Sequence, residues 1–248
     1  MAARAKLYSL SLSHPSQAAR LMLERKRIEH EVVDLLPGFH PALLRAAGFR
    51  GGTVPGLKID GRRVQGSREI SRALDEIQPE PSLFGADPER ERTVAEAERW
   101  GEQVLQPVPR RIFRWGAAHS PELRRWIAAD VIGMPAPRLM AAANAPIARG
   151  LARKIGADDA TVRADVANLP ALLDRVDGLI AAGTIGTGEP NAADFQIATT
   201  VRVLLAFEDL RTPVEARPAG ELARRVLPSY PEPIPRVLPS EWLAPLQT

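Results

Sequence analysis

The chain contains no cysteine. That excludes a disulfide framework, a thiolate metal cluster and any reaction that runs on a thiol carried by the protein itself. Aromatic residues are scarce, at 5% of the total, and the arginines are scattered singly or in pairs (Arg62-Arg63, Arg110-Arg111, Arg124-Arg125, Arg224-Arg225) without forming a sustained basic and aromatic stripe. A nucleic-acid groove interleaves the two types, so no nucleic-acid partner is expected. Neither sign of charge dominates: 33 basic against 30 acidic residues leave +3, in keeping with solvated helix faces. No apolar run reaches the ~18 residues of a membrane span, and no signal peptide is visible. No membrane partner is expected, and the protein reads as soluble and cytoplasmic. His, Asp and Glu do not recur at metal-ligand spacing, so no metal is expected. There is also no phosphate loop and no nucleophile elbow.

What is present suffices for a substantial core. The chain has 248 residues, 45% of them hydrophobic, enough for one large or two small domains. Residues 5–12 read as a strand, with Leu10 and Leu12 alternating against Ser9, Ser11 and Ser13. Helical spacing follows from Gln17 to Lys26, and Ser16 reads as its cap. Glu31 to Leu35 is a second short strand, and Pro41 to Ala47 forms helical turns ended by Gly48. Gly56 to Ile59, the Asp60-Gly61 turn and Arg63 to Gln65 make a hairpin, since Asp-Gly supplies the positive φ such turns need. Ser67 caps a helix over Arg68 to Ile77. The order is βαβ, then a hairpin, then α: an α/β, thioredoxin-like unit. Everything beyond its proline-rich linker reads as helical: a long helix from Glu89 to Trp115 broken or kinked at Pro107 and Pro109, then Leu123 to Ile132, Leu139 to Lys154, Asp159 to Ala182 and Phe195 to Phe207. From Thr212 on, eight prolines in 37 residues argue for an extended tail with one short helix near Glu221 to Val226. The expected domains are a thioredoxin-like unit over 1–78, a linker over 79–92, an all-helical domain over 93–210 and a tail over 211–248.

Two stretches stand out: Ser13-His14-Pro15-Ser16 after the first strand, and Gly52-Thr53-Val54-Pro55 before the hairpin. With Ser67-Arg68-Glu69-Ile70 and Pro190-Asn191-Ala192-Ala193-Asp194-Phe195, in that order, the chain resembles the cytosolic glutathione S-transferase superfamily over roughly residues 5–210. Those four runs are similar to the family's activating-serine turn, its Gly-Lys-Val-Pro, its Glu-Ser-x-x-Ile and its Pro-Thr-x-Ala-Asp-Phe. Ser13 falls seven residues before Arg20, as the activating serine does in the serine-type classes (theta, zeta and tau-like). The resemblance implies a divergent serine-type member, normally a homodimer, that makes bound glutathione nucleophilic for attack on a small electrophile.

Under that resemblance Ser13 is the activating donor, with Ser11, on the same strand face, as the alternative. A free thiol has a pKa of ~8.5. A hydroxyl donating to the sulfur and a helix N-terminus both favour the thiolate. Lowering the pKa by ~2 units takes ~2.7 kcal/mol of differential stabilisation. Tyr8 is one residue out of register for the tyrosine-type classes and reads as structural. With a cis Val54-Pro55 bond, the N–H and C=O of Val54 would pair with an extended peptide-like ligand as an added strand. Ser67 at a helix N-terminus would hold a carboxylate, His40 would meet the glycyl carboxylate, and Gln65 would face the ligand's ammonium group. Asn191 and Asp194 read as a helix cap.

The pattern is broken in two places. Gly66 stands where the family has an acidic residue or glutamine, leaving Gln65 one residue out of register, and Thr53 stands where it has lysine. Arg50 or Arg68 would have to restore the positive charge. Two lost charge-assisted hydrogen bonds, ~1.5–3 kcal/mol each, would weaken glutathione binding roughly 10²–10⁴-fold. An electrophile would meet an apolar pocket between the domains, lined from Trp100, Ile112, Phe113 and Trp115, with Arg111 or Arg114 toward an anionic group. Two other readings stay open: a catalytically silent member that binds a ligand or partner through the same cleft, and a transferase using a different thiol.

Overall fold

The structure, a computed structural model, describes residues 5–246. The chain divides into two compact units, one made of residues up to Glu102 together with Ile180–Thr199, the other of Gln103–Leu179 together with Thr200 onward.

The first unit is built on a four-stranded sheet in the order β2-β1-β3-β4, from β1 (Ala5–Ser9), β2 (His30–Asp34), β3 (Gly56–Ile59) and β4 (Arg62–Gln65). β1 runs parallel to β2 and antiparallel to β3, so Leu7 faces Val32 on one side and Leu57 on the other. The parallel pair needs a crossover, which α1 (His14–Arg25) supplies while burying Ala18, Ala19, Met22 and Leu23. α2 (His40–Ala46) contributes Leu44 to a small core with Leu35 and Phe49, against which Tyr8, Leu10 and Val54 pack. α3 (Ser67–Ile77) turns Ile70, Ala73 and Leu74 inward. Asp60 at φ 46° and Gly61 at φ 78° make the expected tight hairpin turn. α4 (Pro88–Trp100) completes the contiguous part of this unit, capped by Asp87 through the Arg90 N–H at 2.9 Å.

The start of α1 is three residues earlier than the expected Gln17. Pro15 sits in the first turn, where a missing N–H costs nothing, and Ser13 rather than Ser16 is the cap. Ser67 is likewise the first residue of α3 rather than its cap. Gly66 holds the cap position, at φ 103°, ψ 141°, with no side chain to offer.

The second unit is helical. α5 (Pro107–His119) begins after a single π-helical stretch, Gly101–Leu105, so the expected break at Pro107 is a change of helix type and Pro107 opens the next helix. α6 (Pro121–Trp126) runs into a second π stretch, Ile127–Val131. α7 (Pro137–Ala143), α8 (Ala145–Lys154), α9 (Asp159–Ala181) and α10 (Ala192–Ala206) follow, α10 running from the first unit into the second.

Beyond α10 the chain is more ordered than its prolines suggest. α11 (Arg211–Glu215) and α12 (Pro218–Val226) precede a segment that docks on the helical unit. Phe207 and Ile234 form a β-bridge. Asp209 accepts the Val237 and Leu238 N–H groups. Buried Arg202 holds Glu232 through two bonds of 2.9 Å and also donates to the Leu227 carbonyl at 3.0 Å. Val237 lies on Gly116 of α5, where any side chain would displace it, and Trp242 packs on Trp115 with ring centroids 5.0 Å apart. The short helix expected near Glu221 to Val226 is α12, α11 is an addition to it, and the irregular backbone that follows is held by these buried groups.

Candidate thiol-binding site

Ser13 caps α1 in extended backbone, φ −83°, ψ 101°. Its oxygen accepts from the Ser16 N–H at 3.4 Å and from the Ser16 hydroxyl at 2.9 Å. A hydroxyl oxygen has two acceptor positions and one donor. The Ser16 N–H takes one acceptor position and the two hydroxyls share one bond; when Ser16 is the donor in that bond, the Ser13 O–H is left to donate, beside the positive end of the helix dipole. The buried Ser16 is the partner that sequence reasoning assigned to capping; the X-x-x-X spacing of the two serines was the signal for this pair. Ser11 lies in the turn before the helix. Its main chain is occupied: the C=O accepts from the Gln17 side chain at 3.2 Å and the N–H donates to Asp34. Burial nonetheless raises the Asp34 carboxyl above its ordinary value, that hydrogen bond opposing it.

The Val54-Pro55 peptide is cis. Among the described residues none pairs with the Val54 N–H or C=O. The Pro55 carbonyl accepts the Gly66 N–H at 3.0 Å, which ties this turn to the start of α3. Gln65, expected at the ligand, is used as a brace. Its side chain accepts from the Gly51 N–H at 2.9 Å and donates to the Thr53 carbonyl at 2.7 Å, fixing the loop that delivers Val54. His40 is the first residue of α2, and the neighbouring Pro41 packs against Gly52, which leaves no room for a Cβ. The structure thus brings His40, Gln65, Ser67 and the Val54-Pro55 turn to one end of the sheet. Leu10, three residues before Ser13, packs on the same small core as Val54.

Ser67 is 2% exposed. Its hydroxyl donates to Gln196 Oε1 of α10 at 2.8 Å, a partner 129 positions away that no local pattern announces. The main chain at the start of α3 remains the part of Ser67 suited to an anion. One turn on, Glu98 of α4 is fully buried. It accepts from the Ser71 hydroxyl at 2.6 Å and pairs with Arg72. Burial pushes the Glu98 carboxyl up to about 7, against the pull of Arg72, Ser71 and Arg68. Arg68, a candidate for restoring positive charge, pairs with Glu102 at 3.2 Å. Arg50 is exposed and makes no ion pair among the described residues.

Asn191 and Asp194 cap α10 as expected. Asn191 Oδ1 accepts the N–H groups of Ala193 and Asp194 at 2.9 and 3.1 Å, and Asp194 accepts the Asn191 N–H at 3.0 Å. In the helical unit, Trp115 donates to Asp159 at 2.7 Å and stacks on His119, and Arg111 meets Asp165 through two bonds of 2.6 Å. Both residues are therefore committed to that unit's own packing. Arg114 makes no ion pair among the described residues; burial and the neighbouring Arg110 hold its guanidinium below its ordinary pKa. No group of His, Asp and Glu able to hold a metal occurs among the described residues, and no helix is long and apolar enough to cross a membrane.

Residues 7–82 match the family model described as glutathione S-transferase, N-terminal domain. No curated protein matches the chain. Among solved structures, the chain is similar to a glutathione S-transferase from Rhodospirillum rubrum F11, at 22% identity and TM-score 0.63, covering 97% of this chain and 99% of that one. It is also similar to glutathione transferase F2 from Populus trichocarpa, at 14% and 0.60, covering 98% and 97%. A third is the tau-class glutathione S-transferase of mango, Mangifera indica, at 15% and 0.58, covering 97% and 96%. Such identities speak for fold, and the fold agrees with the N-terminal match. Residues 7–82 thus form a glutathione S-transferase N-terminal domain, and the chain as a whole shares the fold of the glutathione S-transferases to which it is similar.

Proposed function

We propose that the protein is a serine-type glutathione transferase-like enzyme that activates bound glutathione for attack on a small electrophile. The observation that carries this reading is the Ser13–Ser16 pair, which, with Ser16 the donor, leaves the Ser13 O–H at the start of α1 with donation as its open role. That O–H stabilises a thiolate. The unpaired main chain of Val54 receives the tripeptide as an added strand, and the first N–H groups of α3 take its γ-glutamyl carboxylate. The sulfur then forms the new C–S bond. Its electron pair displaces a leaving group or a π pair of the electrophile, and the thiol proton ends on that group. Of the two arginines expected to meet an anionic electrophile, Arg111 is held by Asp165, which leaves Arg114 as the candidate.

A second reading has specific support. The Ser67 hydroxyl is engaged by Gln196 and the Gln65 amide by the loop, so two side chains expected at the ligand are spent inside the protein. With Gly66 and Thr53, this favours a member that is catalytically silent or uses a thiol with a different carboxylate layout. Calorimetric titration with reduced glutathione separates the readings. Binding in the micromolar to low-millimolar range supports the first, and no binding at several millimolar removes it. A homodimer is part of the proposal; light scattering that returns a monomer near 27.0 kDa would overturn it.

A further inference from the structure

The face of the sheet that carries Tyr8 holds a row of charge toward the start of β1, away from Ser13. The strand registers place Glu31, Lys6, Lys58 and Arg63 side by side, Lys6 opposite Glu31 and Lys58, and Lys58 opposite Arg63. Like charges directly opposite one another destabilise a sheet, yet this row contains two such pairs in succession. Part of the charge is answered. Lys6 pairs with Glu31 at 2.9 Å, and the neighbouring Arg62 pairs with Glu76 at 2.9 Å. Lys58 and Arg63 make no ion pair among the described residues; Lys58 lies 5.5 Å from the Tyr8 ring centre.

Arg63 is also held in place. Its Nε donates to the Ala47 carbonyl at 3.2 Å, and its guanidinium fills the space a side chain at Gly48 would need. Its terminal nitrogens remain as donors. Lys6, Lys58, Arg62 and Arg63, with Asp60 at the turn, line a shallow depression of about 230 Å³. That is below the ~300–1,000 Å³ of sites for drug-sized ligands, so the occupant is compact. A pre-positioned guanidinium beside an ammonium suits phosphate oxygens, which take the planar fork and the point charge together.

We propose that this row is a binding site for a small oligophosphate, a compact ligand with two or more phosphate groups, separate from the thiol site. Phosphates set across the strands would turn two repulsive neighbours into a chelating pair and would draw on Lys6 and Arg62 at the edges. Because the groove is short and aromatics are few, a nucleic-acid strand is the disfavoured occupant.

The test is calorimetric titration of the full chain with inorganic tripolyphosphate at low salt, on the wild type and on the double variant Lys58→Gln/Arg63→Gln. The expected result is saturable one-to-one binding, weakened at least tenfold in the double variant and unchanged in Arg92→Gln, an exposed arginine of α4. Absence of saturable binding, or equal binding by the double variant, would overturn the proposal. So would a single-stranded oligonucleotide that displaces tripolyphosphate from the row and binds there more tightly. Urea unfolding of ligand-free Lys58→Gln, which leaves the Arg63 contacts intact, reports on the premise: its midpoint should rise as repulsion is relieved, and a fall would refute the claim that the row opposes folding.

Discussion

Glu98 gives the most demanding test of the energetics. It is fully buried between α3 and α4, against Ser71 and Arg72, with Arg68 a weaker influence, and its carboxyl is raised from 4.5 to about 7. The folded state therefore keeps a proton through a range in which the unfolded chain has released it. When the folded state binds more protons, stability falls as pH rises. The window runs from 4.5 to about 7, and above it the slope from this group vanishes. The full shift corresponds to roughly 3 kcal/mol, and between pH 5 and pH 8 the expected loss is about 2–3 kcal/mol. Glu98→Gln keeps a carbonyl for the Ser71 hydroxyl but cannot titrate. Arg72, 35% exposed, can turn to solvent. Urea unfolding of both proteins at several pH values isolates the group, because every other carboxylate cancels. The difference in unfolding free energy between Glu98→Gln and wild type should grow in favour of the variant by about 2–3 kcal/mol from pH 5 to pH 8. A constant difference would refute the assignment. A difference of opposite slope would show that the Arg72 ion pair outweighs burial.

Ser13→Ala should leave glutathione binding within a few-fold while moving the pKa of the bound thiol back toward ~8.5, read from thiolate absorbance against pH; an unmoved pKa excludes Ser13. Gln65→Leu removes both bonds to the 51–53 loop and should cost about 1–3 kcal/mol, with weaker glutathione binding because Val54 loses its brace; unchanged stability would contradict the bracing role. Glu232→Gln leaves Arg202 buried with one charge unanswered, and a loss of about 3–5 kcal/mol is expected in thermal or urea unfolding. Wild-type resistance of residues 227–246 to limited proteolysis in that variant would show that the segment is held elsewhere.

Local chemistry made the architecture readable. Asp60-Gly61 fixed the hairpin, Gly48 ended α2, and the reciprocal Asn191/Asp194 cap announced α10. What escaped notice depended on distance. The Ser67 hydroxyl is spent on a glutamine 129 positions away, and Gln65 reaches back 12 and 14 positions to the loop. Neither bond leaves a periodic trace. Apolar spacing shows α1 only from Gln17, because its first turn is His14-Pro15-Ser16, where the proline is harmless and no periodicity has yet built up. The seating of the C-terminal segment was not legible either: proline content describes what a backbone cannot donate, and says nothing of a buried arginine that collects its carbonyls.

That segment also equips the protein with an optical reporter. Of the four tryptophans in the chain, Trp242 comes from the last stretch and rests on Trp115, which in turn stacks on His119 with ring centres 4.5 Å apart. Lifting the C-terminus would strip one indole from the stack and bare another, changing emission wavelength and intensity together. Seating of the C-terminus can therefore be followed in the unlabelled protein at wavelengths where glutathione is transparent.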